Sequence, residues 1–143
     1  LTEDNIIDIK RTQELVELSK PLKFTFHRAF DCVSNPMETI EQLIDLGVER
    51  ILTSGQEMSA ENGLNNLILY NEKVNGRLVI LPGRGINSEN TKKFMAAGFK
   101  EIHASASKSI LNKNRSSYFD ETQQTVSDLS TIKAILKVIQ GEN

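Results

Sequence analysis

The sequence predicts an α/β fold with parallel strands, and three observations carry that prediction. Helix and strand signals alternate along the chain. The candidate strands are short and apolar and each follows a helix signal, the order that parallel strands with helical crossovers require. One unit also recurs. D-L-G-V-E-R-I-L-T-S at 45–54 and A-A-G-F-K-E-I-H-A-S at 96–105 share a glycine helix stop, a strand and a closing serine, as a repetitive α/β architecture does.

Each element has its own justification. Residues 22–27 alternate as a strand does, with Phe24 and Phe26 on one side and Thr25 and His27 on the other. Asn35-Pro36-Met37-Glu38 opens a helix with an N-cap, a proline at the first helical position and a glutamate at the third. Met37, Ile40, Leu43 and Ile44 share its apolar face, and Gly47 stops it. Strands follow at 48–53, 78–81 and 101–104. A helix from about Ser59 carries Leu64, Leu67 and Ile68, and another runs from Asn87-Ser88-Glu89 to Gly98 with Phe94 and Met95 predicted buried. The last, from about Thr125 to Ile139, places Leu129, Ile132, Leu136 and Ile139 at heptad-like spacing; packing on a sheet is expected there in preference to a coiled coil. Four βα units are half of an eight-stranded barrel or a small open sheet, and composition does not choose.

The chain has 143 residues, enough for one domain with a substantial core. A net charge of −2 gives no electrostatic footprint for nucleic acid. No apolar run is long enough to span a membrane, and the start carries no signal-peptide pattern. The single cysteine, Cys32, excludes an internal disulfide and fits a reducing compartment, so cytosol is the default. The chain opens on Leu1-Thr2-Glu3-Asp4-Asn5, as a processed or incomplete chain would.

In parallel α/β proteins ligands sit at the carboxyl ends of strands, and polar residues gather there. The four strand ends read His27-Arg28-Ala29-Phe30-Asp31, Thr53-Ser54-Gly55-Gln56, Pro82-Gly83-Arg84-Gly85 and His103-Ala104-Ser105-Ala106-Ser107. His27 is a candidate acid, base or metal ligand oriented by Asp31, or else a hydrogen-bonded structural histidine. His103 faces the same choice. Gly83-Arg84-Gly85 can bring backbone N–H groups and a guanidinium to an anion, or can be a tight turn that needs glycine. Cys32, Met37, Met58 and Met95 offer soft sulfur suited to Cu(I), but at no metal-motif spacing, and Met37 and Met95 read as core filler. Parity adds one inference. Aligning the echoed strands pairs Arg50 with Glu101, Leu52 with His103 and Ser54 with Ser105; if alternate strands of a barrel feed one layer, Arg50 and Glu101 meet and satisfy each other.

T-F-H-R-A-F-D (25–31), N-P (35–36), R-I-L-T-S-G-Q (50–56), L-P-G-R-G-I (81–86) and E-I-H-A-S (101–105) together resemble the CutC family, named for copper homeostasis. The blocks lie in that family's order and span about Leu22 to Ser107. The resemblance implies a TIM-type (β/α)8 barrel, of which residues 1–143 would supply roughly strands 5 to 8 and their helices. Such barrels take about 250 residues, with about 200 near the lower end, so the first half of the barrel is expected to be absent from this sequence. It also implies a cytoplasmic protein that forms dimers or larger homo-oligomers. Two features depart from the family: Arg84 stands in a turn that is more uniformly glycine there, and the serine- and asparagine-rich stretch from Ser107 to Tyr118 has a character of its own.

Two functions follow as expectations. One is cytosolic copper binding or trafficking, with Cu(I) held by His27, Cys32 or His103. The other is a barrel enzyme acting on a small anionic or phosphorylated metabolite. There His27, Arg28 and Asp31 are the candidate catalytic residues, and Ser54, Gly55, Gln56, Gly83, Arg84, Gly85, His103 and Ser105 the ligand-binding ones. A scaffold whose strand-end residues only tie loops together is the third and blandest reading.

Overall fold

The computed structural model describes residues 1–109 and 125–141. Its centre is a parallel sheet of β1 (Thr25–Phe26), β2 (Arg50–Thr53) and β3 (Val79–Pro82), in that spatial order. Thr25 pairs with Arg50 and Arg50 with Val79, so these three residues share one level of the sheet. The expected fourth strand at 101–104 contracts to a single parallel bridge between Gly83 and His103, closed by the His103 N–H on the Pro82 carbonyl at 2.8 Å. It lies at the rim of the sheet, where a strand has one neighbour to pair with.

Among the described residues five α-helices accompany the sheet: α1 (Ile9–Ser19), α2 (Pro36–Asp45), α3 (Leu64–Val74), α4 (Thr91–Ala96) and α5 (Leu129–Gln140). The α2 start is as read from the sequence: Asn35 Oδ1 caps the Glu38 N–H, and Gly47 takes the left-handed φ of +78° that ends the helix. The others differ at their ends. Residues 59–63 turn instead of starting α3, because Gly63 lies backbone to backbone against Ser54 and Gly55; a Cβ on Gly63 would fall 2.0 Å from the Ser54 carbonyl oxygen. Asn87 folds its side chain onto the N–H groups of Glu89 and Asn90, which delays α4 to Thr91. Thr125–Ser127 form β5, paired antiparallel with β4 (Ser107–Ser109), and Asp128 then caps α5. The helix α1 has no counterpart in the sequence reading, although Asp8 is its N-cap and Thr12 and Val16 its buried face.

The core lies between sheet and helices. Ile51, Ile80 and Phe26 point from the strands to the helix side, where Phe30, Ile40, Leu43, Leu67 and Phe94 are fully buried. Alternation places Thr25 and His27 on the other side of β1, as predicted, and leaves Leu52, Val79 and Leu81 only partly covered. Three apolar expectations are corrected. Met37 and Met95 are exposed at 40% and 42%, and the α5 stripe is turned outward, with Leu129, Leu136 and Ile139 exposed and Ile135 buried in their place. No helix among the described residues is long and apolar enough to cross a membrane.

Candidate functional site

The carboxyl ends of the strands form one edge, ordered His27–Asp31, Thr53–Gln56, Gly83–Gly85 and His103–Ser105. After β1 the chain winds into a 3-10 turn, Arg28–Cys32. His27 caps it: its Nδ1 accepts the Ala29 N–H at 2.9 Å. An accepting Nδ1 places the proton of a neutral imidazole on Nε2, so exposed His27 presents an N–H at the edge.

Asp31 does not orient His27. Its carboxylate is nearly buried, with 8% of the side chain exposed, and is filled by other donors. Thr53 Oγ1 donates to Oδ1 at 2.5 Å, the Ser54 and Gln56 N–H groups reach the same oxygen at 3.0 and 3.2 Å, and Arg28 Nε donates to Oδ2 at 2.7 Å. Ser54 Oγ lies 3.1 Å from Oδ2 and accepts from Arg28 Nη2 at 3.2 Å. The acid is therefore a clamp that ties the turn after β1 to the loop after β2.

That clamp withdraws several expected ligand residues from the surface. Ser54 and Gly55 are buried. Gln56 is folded inward, its Nε2 donating to the Val33 carbonyl at 2.7 Å and its Oε1 accepting from the Tyr70 hydroxyl at 3.1 Å. Burial and the nearby Asp31 charge push the Tyr70 phenol up from its ordinary pKa. Asn66 Nδ2 holds the Gly55 carbonyl at 2.9 Å. Thr53, Gly63, Asn66 and Tyr70 were not read as part of this network. Asn66 and Tyr70 stand four residues apart on one helix face beside Leu67 and Val74, and polar groups interleaved with a buried stripe are the signal that marks them.

Past β3 the chain presents a different surface. Gly83 is buried because the Leu52 and His103 side chains close over it; a Cβ there would lie 2.5 Å from Leu52 Cδ1. Arg84 and Gly85 then take φ of +85° and +79°. The N–H groups of Gly85 and Ile86 donate to no protein acceptor among the described residues, whereas that of Arg84 is directed at the His103 carbonyl across the parallel bridge. The Arg84 carbonyl is held by Ala60 N–H at 3.0 Å, and the Gly85 carbonyl by Asn90 Nδ2 at 2.8 Å. Arg84, His103 and Ser105 are exposed.

The proposed copper ligands are not gathered. His27 and His103 stand on strand positions with two strands between them, about 14 Å at the usual strand spacing, beyond the reach of one metal ion. Cys32 is exposed, and no group of three or more His, Cys, Asp or Glu side chains among the described residues could hold a metal ion. On the open face of the sheet Arg50 binds Glu101 through Nε and Nη2 at 2.8 and 3.1 Å, the pairing that strand parity predicted. A surface hollow of about 540 Å³ lies along α1, lined by Lys10, Gln13, Glu14, Glu17 and Leu18, away from the strand ends.

Residues 1–108 match the CutC family. The chain is 48% identical over 108 residues to a CutC protein of Proteus mirabilis, a match covering 76% of this chain and 43% of that relative. It is 37% identical over 148 residues to a CutC protein of Erwinia tasmaniensis, covering 96% and 59% respectively. The crystal structure of a CutC protein from Streptococcus agalactiae, which carries a provisional copper-homeostasis name, superposes with a TM-score of 0.67 at 30% identity, over 72% of this chain and 51% of that one. The chain thus spans about half the length of the curated relatives it matches.

Proposed function

The chain belongs to the CutC family, and from that premise we propose that it supplies strands 5 to 8 of a (β/α)8 barrel in a cytoplasmic copper-homeostasis protein, with a site for a small anionic molecule at the carboxyl ends of its strands. One observation carries the anion reading. The acid at the His27 end of this edge, Asp31, is saturated by the donors around it, whereas donors farther along the edge remain open. The N–H groups of Gly85 and Ile86 donate to no acceptor among the described residues, and His27, Arg84 and His103 are exposed. Consecutive free N–H groups beside a guanidinium attract negative charge. Arg84 sits in a backbone region that costs a non-glycine residue free energy, a feature that clusters at binding sites.

Within this reading Arg84 and the N–H groups of Gly85 and Ile86 hold the anion, His103 and Ser105 flank it, and Arg28 is a fixed cation braced by Asp31. His27, with Nδ1 engaged, offers a proton from Nε2 and is the residue placed for acid chemistry. The barrel part of the proposal is supported by the Arg50–Glu101 pair and by Leu52 and His103 meeting over Gly83, because alternate strands feeding one layer is how a barrel interior is filled. Copper, as cargo, finds no assembled three-ligand site among the described residues; the family name supports a cellular role in copper handling.

The test is a titration of the chain with inorganic phosphate followed by amide chemical shifts. Saturable shifts confined to residues 84–86 and 103–105 are expected. Uniform, non-saturating drift would overturn the anion site. A parallel Cu(I) competition against a chelator, on the chain and its His27→Ala and Cys32→Ser variants, decides whether copper binds directly.

A further inference from the structure

Polar and apolar groups are sharply divided around the turn after β3. A Cβ on Gly83 would meet Leu52 Cδ1 at 2.5 Å and His103 Cβ and Cδ2 at 3.4 and 3.6 Å. The Leu52 side chain and the His103 imidazole therefore converge over Gly83, two residues before the open N–H groups of Gly85 and Ile86. Leu81 pairs with Leu52 across the sheet and extends this apolar surface, and both leucines are only partly covered. The middle of the edge adds no free polar group. Ser54 and Gly55 are buried, and Gln56 is spent on the Val33 carbonyl and the Tyr70 hydroxyl. Ser54 Oγ is engaged by Asp31, Arg28 and the Glu57 carbonyl. Glu61, beside the Ala60 N–H that holds the Arg84 carbonyl, is taken by Lys93 and by Asn90 Nδ2, which offsets its charge near the turn.

An anion on the Gly85 and Ile86 N–H groups thus has a guanidinium at its charged end and a wall of leucine and imidazole beside it. Hydroxyl groups laid on that wall would give up water without gaining a partner, which is costly. A flat ring gains there twice, by burying apolar area and by offset stacking on the imidazole. Because the wall begins two residues from the free N–H groups, it favours a ring joined directly to the charged group over a ring carried on a sugar. We infer that the ligand of this turn is an aryl or arylmethyl phosphate. Its phosphate is held by Arg84 and the N–H groups of Gly85 and Ile86, and its ring lies against Leu52 and the exposed imidazole of His103. Leu52 and His103 are then the residues that select a ring over a polyol. The inference rests on the anion reading and names the chemical class that reading leaves open.

The test is titration of the chain with inorganic phosphate, glycerol 1-phosphate and phenyl phosphate, each followed by amide and methyl chemical shifts. Phenyl phosphate is expected to bind roughly tenfold more tightly than the other two, and its ring current should shift the Leu52 methyl groups. His103→Ala should bring the ratio of phenyl phosphate to phosphate affinity close to one, whereas His103→Phe, which keeps a flat ring, should retain the preference. Leu52→Ala should lower the same ratio; if that variant fails to fold by circular dichroism, the two His103 variants decide. Equal affinities for the three compounds would overturn the aryl ligand and leave the anion site standing, and tighter binding of glycerol 1-phosphate would do the same in favour of a polyol. Phenyl phosphate that shifts the hollow along α1 in place of Leu52 and His103 would also overturn it. Saturable binding of none of the three would overturn the anion reading and this inference together.

Discussion

Arg50 reaches across β3 to grip Glu101 with two hydrogen bonds, joining the second strand of the sheet to the fourth strand position over the one between them. The guanidinium holds the Glu101 carboxyl below its usual range. Both groups are partly open to solvent, at 21% and 40% of the side chain, so the pair fixes geometry more than it adds stability. Arg50→Glu and Glu101→Arg should each lower the melting temperature modestly, and the double exchange should recover most of the loss. Rising salt should shrink the single-variant effects. Thermal melts of the four proteins at low and high salt check this; losses that simply add in the double variant would show that the two residues do not act as a pair.

Asp31 is the more consequential acid. Asp31→Ala would leave the Ser54 and Gln56 N–H groups and Arg28 Nε without their acceptor in a nearly buried position. Removing one partner of a buried charged network costs about 3 kcal/mol. Asp31→Asn keeps an Oδ1 acceptor and should cost about 1 kcal/mol, chiefly through the weakened Arg28 contact. Urea unfolding with amide exchange at Ser54 and Gln56 separates the two. Equal losses for Ala and Asn would mean that the charge, and not the acceptor geometry, holds the loop.

The strand faces and the Arg50–Glu101 pair were legible in the sequence because strand parity is a strict two-residue rule, which one echoed motif suffices to phase. The α2 start was legible for a similar reason, since Asn35, Pro36 and Glu38 act within one turn. The role of Asp31 was not. Whether a carboxylate four residues after His27 turns to the histidine or to the next loop depends on donors at 53, 54 and 56, more than twenty residues away. The same limit hid α1, whose charged surface dilutes its periodicity, and the Ser59–Gly63 turns, which a backbone contact between Gly55 and Gly63 imposes. Helix α5 shows the converse. Its apolar stripe is plain in the sequence, but α5 packs beside α4 with Ile135 buried and leaves Leu129, Leu136 and Ile139 exposed, so periodicity marked an exposed face as core.

Glu41 joins α2 to the end of α3, accepting from Arg77 at 2.6 and 2.9 Å and pairing with Lys73 at 2.6 Å. Arg77 first, and then Lys73, pull its carboxyl down from 4.5 to about 2. A carboxyl lowered by folding stabilises the fold fully above its unfolded pKa and loses that contribution as pH falls through the folded value. Glu41→Gln should therefore melt lower than the parent at pH 7, and the two should converge as pH drops from about 4.5 toward 2. Paired melts at pH 7, 4 and 2.5 check the sign; a gap that widens on acidification would contradict it.

Arg84 sets stability against binding. At φ +85° an L-residue carries a left-handed cost of about 1–2 kcal/mol, which glycine escapes. Glycine also returns about 0.4–1 kcal/mol to the unfolded chain through its greater freedom. The first effect is the larger, so Arg84→Gly should stabilise the chain by about 0.5–1 kcal/mol. The same change removes the guanidinium beside the open N–H groups of Gly85 and Ile86, and should weaken phosphate binding there by roughly tenfold, the scale of one charge-assisted contact. Denaturant melts and the phosphate titration on this one variant read both effects. A variant that gains stability and keeps its phosphate affinity would leave the turn as backbone geometry alone and remove Arg84 from the site. One that loses both would mean that the left-handed turn is held by the arginine side chain itself.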